Sequence, residues 1–468
     1  MVPPPPAASD APQLPHRRQV RDGKAAAGLP APKPPSGASF ALGASGRLLP
    51  LSVPLRFFGA AAVFHLFAWI ALGLGAAQVP RFAGGIGWPL ASLHAATLGV
   101  LAMSAIGASL QLMPVATRQS LGAPRVVAAL WWLYAPGVAA LVAGMAAQRP
   151  SWVAIAALPV IAALVLYGAL LARNLAGARG MPGVRAMGWI ALLSLTTAVA
   201  CAAAMTATWA GWAAWPRQGP LMVHIVFALF GFMGALALGL SNILVPMFAL
   251  GPVPAERTQL GIAALVATAL ALVLPVAFDL WPPAMLLLPV ALALAAASWH
   301  LASMRGVMRS GMRGALGGSF VLVRIGWSGL IATLALAAWW ALDGARAGLS
   351  TAVVASALAL WLLSLLFGIL QRIVPFLVSM HLAGTRRRAP TPSSLTDERA
   401  LSLHRRCHAT ALALLALAIA LDSPTAAIAA SAVGCVGALG FVGFLVTAWR
   451  RTRRPREAQA PGAAPGVG

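Results

Sequence analysis

Two histidines are the first residues in the sequence that could do chemistry, because each lies near the start of a long apolar run. They are His94 and His224. An ionisable side chain within a membrane segment is costly, so it marks a functional site by default. Neutral imidazole is also the usual ligand of haem iron and of copper. The pair therefore predicts a cofactor or metal site, and the alternative is that each ring only hydrogen-bonds a neighbouring helix or water.

Three further histidines are weaker candidates. His65 lies near the middle of the first apolar run and is a predicted cofactor ligand that could face His94. The alternative is an ordinary contact between helices. His404 and His408 are four residues apart, with Cys407 beside them, so they share one helix face. That spacing can hold a metal, but the two arginines between the histidines favour a stretch at the membrane surface instead.

The elements that position these residues are membrane helices. The chain of 468 residues is 60% hydrophobic and only 9% charged, with a mean hydropathy of +0.85. A soluble domain has roughly 25% charged residues, and runs of about 20 apolar residues cross a bilayer as helices. A period-two alternation, which a β-barrel requires, is absent. We expect an all-α bundle of about twelve spans, at 53–78, 88–115, 124–146, 151–173, 183–210, 219–250, 258–277, 281–304, 317–340, 350–382, 400–421 and 424–449.

The remaining residues form two tails and short loops. Residues 1–48 are basic and rich in Pro and Ala, which predicts a disordered cytoplasmic tail. Residues 49–450 form the transmembrane domain, and residues 451–468 form a second cytoplasmic tail. The three cysteines have no CxxC spacing, so the sequence suggests no disulfide framework.

The basic residues predict the orientation of the bundle. With these spans, 29 of the 33 Lys and Arg residues fall on the side of the N-terminus. The positive-inside rule then places both termini in the cytoplasm of a bacterial-type inner membrane. The net charge of +24 is thus mainly a topology signal. We expect the partners to be the lipid bilayer and a redox partner or partner subunit, and not a nucleic acid.

A motif recurs at the ends of spans 2, 6 and 10. Each copy has a glycine, an amide side chain, and a proline seven residues after the glycine. The residues are Gly107, Gln111 and Pro114; Gly239, Asn242 and Pro246; and Gly368, Gln371 and Pro375. The prolines are 132 and 129 residues apart, and each interval holds four spans. Fixed periods of this kind indicate repeated architecture, so we expect three pseudo-repeated four-helix arcs.

These residues resemble a known family. Twelve helices in three arcs, with histidines on helices 2 and 6, are similar to subunit I of the haem–copper oxidases. The stretch from His94 to Gly99, the Gly107 motif and Gln371-Arg-Ile-Val-Pro375-Phe-Leu377 resemble helices 2 and 10 of uncharacterised relatives of that superfamily. The NnrS family, implicated in nitric-oxide handling, is a looser comparison. The resemblance implies haem b, copper or both as cofactors, held by His94 and His224.

The sequence departs from the oxidase pattern in ways that change the expected function. The histidine pair of helix 7, the His-x-His of helix 10 and the tyrosine of helix 6 are absent, and all nine acids fall outside the predicted spans. We therefore expect a redox or nitric-oxide-related role, not a proton-pumping oxidase.

Two other functions fit the same sequence. Repeats and proline-broken helices also build transporters, so one alternative is a permease whose amides line a path for a small neutral solute. The other alternative is a helper subunit without a cofactor. Arg324 and Arg372 lie slightly inside their helices, where they could pair with a haem propionate or extend to the interface.

Overall fold

The computed structural model describes residues 1–2, 49–121, 124–314, 316–344, 346, 348–383 and 390–453. The predicted tails lie outside this part of the chain, except for residues 1–2 and 451–453. Within it, the regular elements are helices and no β-strand occurs. Twelve long helices, α1 to α12, follow in order: Ser52–Leu74, Trp88–Thr117, Pro124–Ala146, Pro150–Ala176, Pro182–Trp209, Gln218–Ala249, Glu256–Ala277, Pro283–Ser310, Ser319–Leu342, Leu349–Ala383, Glu398–Ala420 and Pro424–Arg453.

Eleven of the described helices are long and apolar enough to cross a membrane. The prediction of a polytopic α-helical membrane protein is therefore confirmed. The predicted eleventh span, 400–421, coincides with α11, which is the long helix outside that set. Its first half carries charged and histidine side chains, which lower its hydropathy. Two of these side chains, His404 and His408, are buried inside the bundle and do not face the surroundings.

Proline begins five of the described long helices, among them α8, because its fixed φ suits the first turn and its missing N–H would have no helical partner there. The other four all begin with an α-helical turn, and they are α3, α4, α5 and α12. Two of these four follow connections of only three residues, 147–149 and 421–423. Both of the closely spaced helix boundaries expected from the sequence are therefore present.

Three helices share an internal change in hydrogen bonding. α2, α6 and α10 each become π-helical for eight residues, at Ala95–Ala102, Phe227–Gly234 and Ser356–Leu363. The π segment of α10 contacts the π segments of both α2 and α6. These three helices thus meet inside the bundle, while α12 packs against α1. π-helical turns are rare and are frequent at functional sites.

The Gly–amide–Pro motifs lie farther along the same three helices. Each π segment begins 19 residues before the proline of its own motif. The glycine of each motif packs against the preceding helix, where a side chain would not fit. A Cβ placed at Gly107 would lie 2.7 Å from Phe57 of α1. A Cβ at Gly239 would lie 2.9 Å from Met187 of α5, and one at Gly368 would lie 2.7 Å from Val323 of α9. The three motifs therefore serve the same packing role.

Candidate functional site

A cavity of about 720 Å³ lies inside the bundle. Its size is typical of a pocket for a small molecule or cofactor. Most of the lining is apolar, but it includes three histidines, His65, His94 and His224. Among the described residues that line it, Arg217 is the one with a full positive charge, and none is a carboxylate.

The π segments place the first histidine pair. His94 is the residue immediately before the π segment of α2, and His224 precedes the π segment of α6 by three residues. Both residues therefore lie at the same end of the bundle. Their imidazole rings are nearly parallel, at 14°, with centroids 6.4 Å apart. The structure thus brings together two ligand candidates that are 130 residues apart in the sequence.

Backbone carbonyls fix the protonation of both rings. His94 Nδ1 lies 3.0 Å from Leu90 O, and His224 Nδ1 lies 2.9 Å from Ala198 O. A carbonyl oxygen can only accept, so each Nδ1 donates a proton and each Nε2 keeps its lone pair. Neither Nε2 has a hydrogen-bond partner among the described residues, and both histidines are half-buried. Histidines that bind metals are held in this way, with the second ring nitrogen donating to a carbonyl.

The spacing of the rings suits a metal between them. A metal–nitrogen bond is about 2 Å long, so one metal bound by two imidazoles separates the ring centroids by about 6 Å. The observed distance of 6.4 Å agrees with this value. Two imidazole rings that only pack against each other do not need a free Nε2 on both rings. The pair therefore offers two free Nε2 atoms on rings whose centroid distance is compatible with a shared metal.

A second histidine group joins α1 to α11. His65, His404 and His408 can each offer a ring nitrogen such that the three nitrogens lie within 4.8 Å of one another. The ring centroids of His65 and His404 are 5.9 Å apart, and those of His404 and His408 are 5.7 Å apart. All three residues are buried. We call these three residues the histidine triad.

Each ring of the triad has one nitrogen with a partner and one without. Trp69 Nε1 donates to His65 Nε2 at 3.0 Å. His404 Nδ1 lies 3.2 Å from Gln371 Nε2, and His408 Nε2 lies 2.9 Å from Ser364 Oγ. The opposite nitrogens are buried and have no partner among the described residues; they are His65 Nδ1, His404 Nε2 and His408 Nδ1.

The motif amides have separate structural roles. Gln111 bonds the backbone of Leu49, and Asn242 donates to Leu238 O. Gln371 bonds His404 and accepts from Arg405. None of the three lines the cavity.

The remaining candidates also lie away from the cavity. Arg372 Nε donates to Ser319 Oγ at 2.9 Å, and Arg324 is exposed on the outside of α9. Neither arginine lines the cavity. Cys407 is absent from the triad; a Cβ at Gly437 of α12 would lie 2.9 Å from its Cβ. His381 bonds two backbone carbonyls, and His300 is buried without a partner among the described residues.

A comparison with models of known protein families finds no match for this chain, and a comparison with curated protein sequences also finds none. The two histidine groups are therefore the features of the structure that bear on function. The sequence indicated every histidine in them, but it suggested that His65 could face His94 and did not link His65 to His404 and His408. A signal for the true grouping was the position of two histidines on one face of α11, since such a face must be buried against another helix.

Proposed function

We propose that this chain is a membrane haem protein that holds a b-type haem between His94 and His224 and takes part in electron transfer. The observation that carries this proposal is the arrangement of the two rings. They are nearly parallel, 6.4 Å apart between centroids, and each keeps its Nε2 lone pair free. Both rings line the same cavity.

The cavity favours haem over a bare copper ion at this pair. A single ion bound by two imidazoles needs no space beyond its ligands, whereas a porphyrin needs a large apolar pocket. The cavity of about 720 Å³ meets that requirement. Arg217, which lies at its wall with its guanidinium 5.6 Å from the Trp209 ring centroid, supplies a positive charge for a propionate.

Ligation by two histidines determines the kind of chemistry. Bound haem would supply one-electron chemistry there, and His94 and His224 are the residues that would hold it. No carboxylate among the described residues lines the cavity, so proton coupling through an acid has no support there. Electron transfer to or from a redox partner or partner subunit is the function that fits best.

The proposed scaffold is the twelve-span bundle of three four-helix arcs that resembles subunit I of the haem–copper oxidases. Three observations support the repeat: the equal positions of the π segments, the constant 19-residue interval to the proline, and the same glycine packing. A crossing by α11 is supported by its 23 residues, which span about 34 Å at 1.5 Å per residue. We place both termini in the cytoplasm of the inner membrane, as the basic residues predict.

The test is a reduced-minus-oxidised optical spectrum of the full chain, purified from cells that make haem. We expect the bands of a low-spin b-type haem at one haem per chain. His94→Ala and His224→Ala should each abolish the low-spin spectrum, because the remaining imidazole leaves one axial position open.

His300→Ala is the matched control, because His300 is a buried membrane histidine that does not line the cavity. This variant should keep the wild-type spectrum. A colourless protein from haem-replete cells would overturn the proposal, and so would a haem spectrum that both His94→Ala and His224→Ala leave unchanged.

A further inference from the structure

We propose that the histidine triad, His65, His404 and His408, binds one copper(I) ion at a site distinct from the His94–His224 pair. The triad belongs to α1 and α11, whereas the pair belongs to α2 and α6. Only His65 also lines the cavity, so the two sites are neighbours without a shared ligand.

The geometry of the triad is that of a ligand set. The relative exposures of His65, His404 and His408 are 3, 0 and 2%. Buried polar atoms in proteins almost always have a partner, yet one nitrogen on each of these rings has none among the described residues. Three such nitrogens on three adjoining rings are costly separately. One bound cation would satisfy all of them only after the ring protons of His65 and His404 move to the opposite nitrogens, to which Trp69 and Gln371 now donate.

The group behind His408 suits metal binding, and the group behind His404 does so after one rearrangement. Ser364 Oγ donates to Ala359 O at 3.2 Å, so it is free to accept from His408 Nε2–H, which leaves the Nδ1 lone pair for a metal. Gln371 faces His404 through its amide. Its Nε2 donates to His404 Nδ1 and its Oε1 accepts from Arg405, so a metal at His404 Nε2 requires a half-turn of this amide, which breaks the bond to Arg405. Arg405 keeps its ion pair with Glu398. Such partners orient metal-binding imidazoles.

The charge of the surroundings selects a monovalent ion. Imidazole ligands suit zinc, copper, iron and nickel, and three neutral imidazoles add no negative charge. The hydrogen bonds that lead from His404 through Gln371 and Arg405 end at Glu398, a carboxylate that is already paired with Arg405. The cost of burying an ion rises steeply with its charge. Copper is the metal of that group with a common monovalent state, so copper(I) is the favoured ion.

Aromatic rings keep the site dry. Phe367 lies against all three imidazoles, with centroid distances of 4.4, 4.8 and 5.7 Å to His65, His404 and His408. Phe441 lies 5.0 Å from Phe367 and 5.1 Å from His404. These side chains cover the triad with apolar surface, which suits a three-coordinate ion without bound water.

Trp69 opposes binding at His65. An indole N–H can only donate, so His65 Nε2 accepts from Trp69 and the ring proton lies on Nδ1. A metal at Nδ1 would move this proton to Nε2, facing the indole N–H, and a metal at Nε2 would displace the indole. In both cases Trp69→Phe removes a competing donor. This variant should therefore bind copper more tightly than the wild type, which a structural role alone for the triad would not produce.

The experiment is an anaerobic titration of the full chain with copper(I) against a chromophoric copper(I) chelator. We expect one copper per chain, with His65→Ala, His404→Ala and His408→Ala each weakening binding by more than about 100-fold, beyond the 10–100-fold effect typical of changing a group behind a ligand. Trp69→Phe should tighten binding about 10-fold. X-ray absorption at the copper edge should show three nitrogen ligands and no sulfur, and Cys407→Ser should leave it unchanged.

The controls separate this site from the haem site and from misfolding. His300→Ala, His94→Ala and His224→Ala should all bind copper as the wild type does, and gel filtration in detergent checks that each triad variant is folded. The proposal is overturned by a failure to bind copper(I), by equal losses in His300→Ala and the triad variants, by unchanged or weaker binding in Trp69→Phe, or by zinc(II) binding more tightly than copper(I).

Discussion

The imidazole rings of His94 and His224 lie 6.4 Å apart, inclined by only 14° to each other, at the wall of one internal cavity. Each Nδ1 is held by a carbonyl oxygen, from Leu90 and Ala198 respectively. Two separate backbone contacts thus leave the same atom, Nε2, unpartnered on both rings. Histidines that only connect two helices do not need the same ring nitrogen left free on both rings. The free Nε2 atoms of His94 and His224 therefore favour a cofactor.

Replacing one proposed axial ligand by methionine should change the redox potential and keep the haem. A Met/His pair raises the potential of haem iron relative to two histidines. In His224→Met we expect the midpoint potential to rise by on the order of 0.1 V, measured by an optical redox titration. His300→Met is the control and should keep the wild-type potential. An unchanged potential in His224→Met would show that His224 does not bind the iron.

Arg217 should tune the same potential without acting as a ligand. A nearby cation stabilises the reduced iron, so Arg217→Leu should lower the midpoint potential by roughly 20–60 mV, at most a tenfold change in the redox equilibrium. The spectrum itself should stay low-spin. Arg346 is exposed and does not line the cavity, so Arg346→Leu provides the comparison. An equal shift in both variants would contradict a specific role for Arg217.

The glycines of the repeated motif should be intolerant of a side chain. At Gly107 and Gly239 an added Cβ meets a side chain, but at Gly368 it also lies 2.9 Å from the backbone atoms Ser319 O and Val323 N. We expect Gly368→Ala to destabilise the protein most, by about 1–3 kcal/mol, because a backbone cannot move aside as a side chain can. Thermal unfolding in detergent measures the change.

Gly59 gives the matched control for these substitutions, since a Cβ there meets nothing within 4 Å. Gly59→Ala should be neutral, or stabilising by about 0.5–1 kcal/mol, because alanine favours the helix. Equal destabilisation in Gly59→Ala and Gly368→Ala would mean that close packing is not what requires glycine in the motif.

The path of α11 can be tested by its two ends. If this helix crosses the membrane, residues 393–397 and 421–423 lie on opposite sides. Alkaline phosphatase, which is active only outside the cytoplasm, should be active when fused at 421–423 and inactive when fused at 393–397. Fusions at 147–149 and 178–181, at the two ends of α4, calibrate the assay. Equal activity at both ends of α11 would rule out a crossing.

The sequence alone determined the class of the protein and the positions of its helices. Apolar runs of sufficient length require helices that cross lipid, and proline at 124, 150, 182 and 424 marks helix starts through a strictly local constraint. The Gly–amide–Pro motif also marked α2, α6 and α10, the three helices that contain π segments. The π segments themselves were not predicted, because no local residue pattern marks them; they lie where the three helices meet.

The tertiary structure decided which histidines meet. An apolar run gives the length of a helix, but when nearly all its faces are apolar the sequence does not say which face turns inward. The rotation and neighbours of α1 therefore had to come from packing, and they place His65 beside His404, 339 positions later in the chain. The same limit applies to His94 and His224, whose types indicated a cofactor, while only the fold set their rings nearly parallel with centroids 6.4 Å apart.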